Sequence, residues 1–227
     1  MRRVLFPLLL IAACSGSAIT TNKTTDPTMT PENVTFTTED GLILEGRVFG
    51  SGPNYVVLAH MRPAAMDSWS SFAEELASKG YSALTFNFRG YGASDGRGFR
   101  VDVDVIAAID HALSLGADNV FVVGASMGGT GAIAAAAARP VASVVTLSAP
   151  ARFEGVDAVA AAAKVSVPIL LIAGENNPPY PKEAERIAAA AAGPTEIRII
   201  PSSAHGTDLF SDMDEPTKDL IVSWLNA

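Results

Sequence analysis

The chain is predicted to fold as an α/β domain: a mostly parallel, eight-stranded sheet with helices on both faces. Three observations predict it. Apolar runs of strand length alternate with helix-compatible stretches along most of the chain, alanine-rich runs fall where crossover helices are due, and 48% of the 227 residues are hydrophobic against 18% charged. A domain of this size buries about 70% of the surface that its unfolded chain exposes, so its core needs no staple. Disorder and fibrous repeats are excluded. The single cysteine, Cys14, rules out an internal disulfide and a cysteine-based zinc site. With 16 Lys and Arg against 24 Asp and Glu the net charge is −8, which argues against a nucleic-acid partner, since binding phosphates needs a basic face.

From the N-terminus, Arg2 and Arg3 precede about ten mostly apolar residues, which is the length of a signal-peptide core and half of what a bilayer span needs. The stretch ends Leu10-Ile11-Ala12-Ala13-Cys14-Ser15, which resembles a bacterial lipobox. That resemblance implies cleavage of residues 1–13, lipidation of Cys14 and attachment to the bacterial cell envelope, at the outer membrane if the source has one. An ordinary secretory signal cut near Ala18 is the alternative. Residues 14–32, rich in Thr, Ser, Asn and Pro, are expected to form a flexible tether.

The domain is expected over 33–227. Strands are predicted at 34–38, 42–49, 55–60, 83–88, 120–124, 141–147, 169–173 and 197–200, and helices at 68–79, 101–115, 127–139, 156–164, 182–192 and 209–225. Repeated strand-then-helix units imply right-handed crossovers and parallel pairing. The first two strands, with no helix between them, are expected to pair as an antiparallel hairpin at one edge. Ala is the best helix former and lets a helix approach the sheet closely, so the runs at 134–138, 160–163 and 188–192 read as packing surfaces. Trp69 and Trp224 are expected to fill core, and His111 to be structural.

Gly124-Ala125-Ser126-Met127-Gly128-Gly129 follows the apolar strand 120–123 and opens an alanine-rich helix. A serine on so sharp a turn is held in a strained conformation, and its neighbours at two before and two after must lack side chains because the flanking backbones nearly touch. Such a turn exposes the hydroxyl above the sheet and aims the Met127 amide, at a helix N-terminus, toward the same point.

With this elbow in place the chain resembles the α/β-hydrolase family over almost all of 33–227. The segment Val56-Val57-Leu58-Ala59-His60 resembles the family's strand ending in His-Gly, with Met61 in place of glycine. The resemblance implies an oxyanion hole formed by the amides of Met127 and Met61, with Arg62 as the alternative to Met61, and a structural role for His60. Phe86-Asn87-Phe88-Arg89-Gly90-Tyr91-Gly92-Ala93-Ser94 resembles the family's F-D-x-R-G-x-G-x-S turn, with Asn87 where Asp is usual. It implies shaping of the site's floor and no chemistry.

The family order, serine, then acid, then histidine, makes Ser126 the nucleophile and His205, in the loop after the last strand, the proton carrier. Gly174-Glu175-Asn176-Asn177-Pro178 resembles G-x-x-D-P, but Asn177 stands where the acid is expected. An amide can orient an imidazole while supplying no charge. Three readings stay open: Asn177 as orienter only, Glu175 reaching the ring, or a carboxylate from elsewhere such as Glu154. Asp208 is expected to cap the final helix.

Residues 151–167 leave room for one helix and no lid domain, so the site should be shallow and open, suited to small or extended esters. No metal cluster or phosphate loop is seen, and no cofactor is expected. The resemblance implies a serine carboxylesterase acting through an acyl-enzyme on Ser126. Amide, thioester or C–C hydrolysis on the same fold, or a catalytically impaired binding or envelope protein, are the alternatives.

Overall fold

The computed structural model describes residues 30–226. The predicted leader, Cys14 and nearly all of the 14–32 tether lie outside the described residues. The elements in order are β1 (Glu32–Thr37), β2 (Ile43–Phe49), β3 (Asn54–Ala59), α1 (Ser70–Ser78), β4 (Ser82–Phe86), α2 (Val101–Ser114), β5 (Asn119–Ala125) and α3 (Met127–Ala136). There follow β6 (Ser143–Leu147), β7 (Arg152–Phe153), β8 (Val156–Asp157), α4 (Ala158–Ala162), β9 (Ile169–Gly174), α5 (Tyr180–Ala190), β10 (Thr195–Ile200), α6 (Leu209–Asp212) and α7 (Asp214–Leu225).

Eight strands form one sheet in the order β1-β2-β4-β3-β5-β6-β9-β10. The β1–β2 and β2–β4 pairs are antiparallel and the remaining five are parallel. The antiparallel edge follows from the short link between β1 and β2, where the Gly41 turn leaves no room for a crossover. The chain then leaves β3, covers the sheet with α1 and returns as β4 between β2 and β3. That exchange in strand order is set by packing and has no signature in the local pattern.

The central strands are buried on both faces. Val57 and Ala59 point toward α2, α3, α4 and α5, while Val56 and Leu58 point toward α1, α6 and α7. On the first face the alanine-rich α3 packs closely enough that Met127 to Ala132 are all buried. On the second face Trp69, in a 3-10 turn ahead of α1, is fully buried with Phe72 and Leu76. Trp224 is only half-buried on α7.

Two elements differ from expectation. The single final helix is split into α6 and α7 at Met213, whose φ of −136° and ψ of 57° are not helical. The cause is Pro216, which has no N–H to give to the carbonyl of Asp212 and would clash with it in a continuous helix. Between β6 and β9, the small β7–β8 hairpin precedes α4; its turn residues Glu154 and Gly155 have φ of 44° and 87°, the two positive values that the tightest hairpin turn requires. Asp157 then caps α4, accepting from the N–H groups of Val159 and Ala160 at 3.0 Å.

Arg89 ties three distant segments together. Its Nη2 donates to Asp104 Oδ1 at 2.7 Å, and its Nη1 to Asp40 Oδ2 at 2.7 Å, while its own backbone N–H donates to Asp104 Oδ2 at 3.0 Å. The loop after β4 is thereby bound to the first turn of α2 and to the β1–β2 turn. The Arg89 hydrogen bond holds the Asp40 carboxyl down at about 2. The Asp104 side chain is fully buried. Arg89→Met would strand that carboxylate, so it should cost about 3–5 kcal/mol of stability, most of which Arg89→Met combined with Asp104→Leu should restore. Urea unfolding of the two variants checks this; a double variant no more stable than the single one would refute it.

Candidate active site

β5 delivers the chain to Ser126 and α3 carries it away. Ser126 adopts φ 49° and ψ −117°, a conformation that an L-residue occupies only at a cost. Its backbone is fastened on both sides: the Ser126 N–H donates to Leu147 O at 2.8 Å, and Ser126 O accepts from Gly129 N at 2.9 Å. The hydroxyl does not cap α3 and is half-buried. A Cβ on Gly124 would lie 2.3 Å from the carbonyl oxygen of Gly128, and one on Gly128 would lie 2.3 Å from that of Ala59. Three backbones therefore meet where neither position admits a side chain.

Met127 is the first residue of α3, so its N–H has no intrahelical carbonyl to donate to and faces outward with the helix's positive end. Met61 follows β3, and its side chain lies under Gly206: a Cβ on Gly206 would sit 2.5 Å from Met61 Sδ and 3.3 Å from the Cβ of Ala125. The histidine loop thus rests on Met61 and on the residue preceding Ser126. Its position is fixed further by Ser148 at the end of β6, whose Oγ accepts from Gly206 N at 3.3 Å. Arg62 extends outward, its guanidinium over the rings of Phe99 (5.4 Å) and Phe153 (5.8 Å).

His205 and Asn177 come together. The Nδ1 of His205 lies 3.0 Å from Asn177 Oδ1. With a carbonyl oxygen against it, Nδ1 carries the proton and Nε2 keeps its lone pair. The approach of the two loops depends on Gly174 at the end of β9, where a Cβ would meet Ser202 O at 2.8 Å and Ala204 O at 2.9 Å. Asn177 is placed by its own turn, its N–H donating to Gly174 O at 3.2 Å while its carbonyl accepts from Tyr180 N at 3.1 Å. Tyr180, the first residue of α5, lays its ring 4.3 Å from that of His205. Burial pulls the His205 pKa below its ordinary value, and the charge of Asp208 opposes that shift.

The other carboxylates considered are elsewhere. Glu175 is exposed, its backbone N–H paired with Ile200 O at 2.7 Å and its side chain turned to solvent. Glu154 is exposed at the tip of the β7–β8 hairpin. Asp208 makes no side-chain capping bond to α6, contrary to expectation; it ends a 3-10 turn and its N–H donates to His205 O at 3.0 Å. Asp208 is itself helical, with φ −67° and ψ −17°, as the 3-10 turn runs on into α6, so it lacks the extended geometry of a cap. Ser148 and Tyr180 had no signal of their own, because each meets the 205–206 segment from a different strand-end loop. Among the described residues, no group of three or more His, Cys, Asp or Glu side chains could hold a metal ion.

His60 is a brace. Its Nδ1 donates to Met61 O at 2.8 Å and its Nε2 accepts from Phe88 N at 3.2 Å, locking the loop after β3 to the loop after β4. Asn87 strengthens the same floor, accepting from Met66 N at 2.9 Å and donating to Glu45 Oε1 at 2.7 Å. That pairing explains an amide here: a carboxylate facing Glu45 would be repelled. Burial drives the His60 pKa down to about 4. The unfolded chain binds this proton below about 6.5 and the folded chain does not, so stability is complete above that pH and is lost as pH falls toward 4. The loss should amount to about 3 kcal/mol. The difference in unfolding free energy between the wild type and His60→Gln, followed from pH 7 to pH 4, measures it; a difference that does not change with pH would refute it. His111 stacks its ring on Phe36 at 5.0 Å, in a structural position.

Comparison with known proteins gives the family and the fold. The family model described as alpha/beta hydrolase fold matches residues 54–216. No curated protein matches the chain. Among solved structures, an esterase of Pyrococcus furiosus is similar at a TM-score of 0.76 and 18% identity, over 87% of this chain and 90% of that one. An esterase from Exiguobacterium antarcticum is similar at a TM-score of 0.72 and 18% identity, over 86% of this chain and 100% of that one. A hydrolase from Pseudomonas aeruginosa is similar at a TM-score of 0.74 and 16% identity, over 86% of this chain and 99% of that one. At such identities the likeness is one of fold, and it is the match over residues 54–216 that makes the chain a member of the alpha/beta hydrolase fold family.

Proposed function

We propose that the protein is a serine hydrolase that cleaves a small carboxylic ester through an acyl-enzyme on Ser126. The observation that carries this is the strained, uncapped Ser126 on its turn, together with a histidine whose Nδ1 is engaged by Asn177 and whose Nε2 is left as a base. Esterases among the structures of the same fold support the choice of ester.

In this reading Ser126 Oγ attacks the ester carbonyl while His205 Nε2 takes its proton. The resulting oxyanion accepts from the N–H groups of Met127 and Met61. Collapse expels the alcohol, which takes the proton back from His205, and a water deprotonated by the same nitrogen then releases the acid. Asn177 holds the ring and its tautomer but brings no negative charge to the imidazolium formed on the way. The contact at 3.0 Å favours Asn177 over the exposed Glu175 and Glu154 as the third member.

The missing charge also supports a second reading, a family member of low catalytic power that binds a ligand in the bacterial envelope. One set of measurements separates the two. Ser126→Ala should abolish both ester turnover and labelling by a fluorophosphonate. Asn177→Asp should raise kcat at least about ten-fold, or ~1.4 kcal/mol of barrier, and should move the acid limb of the pH profile upward, because a carboxylate at Nδ1–H stabilises the protonated ring. Glu175→Gln should change little. If Asn177→Asp leaves kcat unmoved and Glu175→Gln destroys it, Glu175 is the acid. If the wild type neither turns over esters nor labels, the binding reading holds.

Lipidation of Cys14, and with it attachment to a membrane of the envelope, is proposed from residues 11–14. Two or more acyl chains would anchor the protein stably where one would not. Cells fed labelled palmitate should label the wild type and not Cys14→Ser; equal labelling would refute the anchor.

A further inference from the structure

We propose that Tyr180 is a positioning residue of His205, and that the face of its ring steadies the protonated imidazole in place of the carboxylate that Asn177 does not supply. The inference rests on the reading of His205 as proton carrier. Its basis is that one short turn presents two partners to one ring. Asn177 meets the imidazole at Nδ1, 3.0 Å away, and three residues on Tyr180 meets it with ring centroids 4.3 Å apart and planes inclined by 43°. The turn is closed on itself by Asn177 N to Gly174 O at 3.2 Å and Tyr180 N to Asn177 O at 3.1 Å, so the backbone holds the two partners at a fixed spacing.

The two contacts differ in what they do. The amide fixes the ring's rotation and its tautomer and is neutral in every step. An aromatic face carries negative charge density and attracts a cation within about 6 Å, more strongly where water is excluded. Tyr180 and His205 are both half-buried. A neutral imidazole gains little from that field, whereas an imidazolium gains fully, so the contact strengthens as the proton leaves Ser126 and favours the transition state over the ground state. Few other charges compete. Of the carboxylates near the loop, Asp208 acts on the ring through its charge, Asp212 accepts from the Ser202 hydroxyl, Glu175 on the Asn177 turn is exposed, and Ala125, Met61 and Ser148, which adjoin the loop from the other elements, are uncharged.

The test is a direct NMR titration of His205 in the full chain, which needs no turnover. Tyr180→Leu should lower the His205 midpoint by about 0.5 pH unit, while Tyr180→Phe should keep the wild-type midpoint. Replacing Tyr180 by phenylalanines of increasing fluorination keeps the shape and drains the ring's negative face, so the midpoint should fall step by step; this series carries the test if the leucine variant does not fold. In ester turnover Tyr180→Leu should lose about three-fold or more in kcat with KM little changed, and the loss should shrink when Asn177→Asp is also present. A midpoint that stays put in the leucine variant and across the fluorinated series overturns the inference, even if Ser126→Ala abolishes turnover and the hydrolase reading stands. A midpoint that moves as described in a protein without esterase activity upholds the action of Tyr180 on the protonated ring and overturns the reading of that ring as the proton carrier of an esterase.

Discussion

The site depends on a contact between backbones. At Gly124 and Gly128 the end of β5, the start of α3 and the end of β3 come so close that a single methyl group would meet a carbonyl oxygen at 2.3 Å. Because the chain can pass there, Ser126 is forced into a positive φ, the first turn of α3 is pressed against the sheet, and the loop after β3 is brought beside the helix's free N–H groups. The strain at Ser126 is stored locally and is held by ordinary bonds to Leu147 and Gly129. An elbow of this kind needs a rigid sheet on both sides, which the doubly buried β3 and β5 provide.

A second close approach, at Gly174, has a comparable consequence on the other side of the site. It lets the 202–204 segment cross the end of β9, and only then do the Asn177 turn and His205 share a contact. Ser148 and Met61 finish the job by holding Gly206 from beneath. The imidazole loop is therefore held by three other segments of chain, the 174–180 turn, Ser148 and Met61, and the charge that acts on the ring comes from Asp208. The contact at Nδ1 fixes the ring's orientation, and Asn177 brings no charge of its own to it.

Below the Ser126 turn the loops are braced by buried polar groups. His60 joins the loops after β3 and β4, Asn87 joins the second of these to Glu45 and Met66, and Arg89 ties the same region to α2 and to the β1–β2 turn. All three are buried and hydrogen-bonded, which is the condition under which such groups are tolerated in a core. Their burial also explains why the histidine among them is held neutral. The floor is accordingly held by buried polar bonds, and its stability depends on pH through His60.

Local pattern determined much of this protein. Eight apolar runs and the alanine-rich stretches between them specified the strands, the crossover helices and the parallel pairing, because period and length of apolar runs are properties of contiguous residues. The strand, the two glycines and the helix around Ser126 were legible for the same reason, as was the position of His205 after the last strand. Tertiary structure alone decided the rest. The insertion of β4 between β2 and β3 and the pairing of β7 with β8 depend on what the chain packs against, whereas the break ahead of Pro216 is a local effect of the proline. Which group meets His205 was open among Asn177, Glu175 and Glu154, since contact between residues 28 positions apart is settled by how closely two backbones can pass. The Tyr180 ring was invisible beforehand because an aromatic at a helix start says nothing of its neighbour until Gly174 lets the two loops cross.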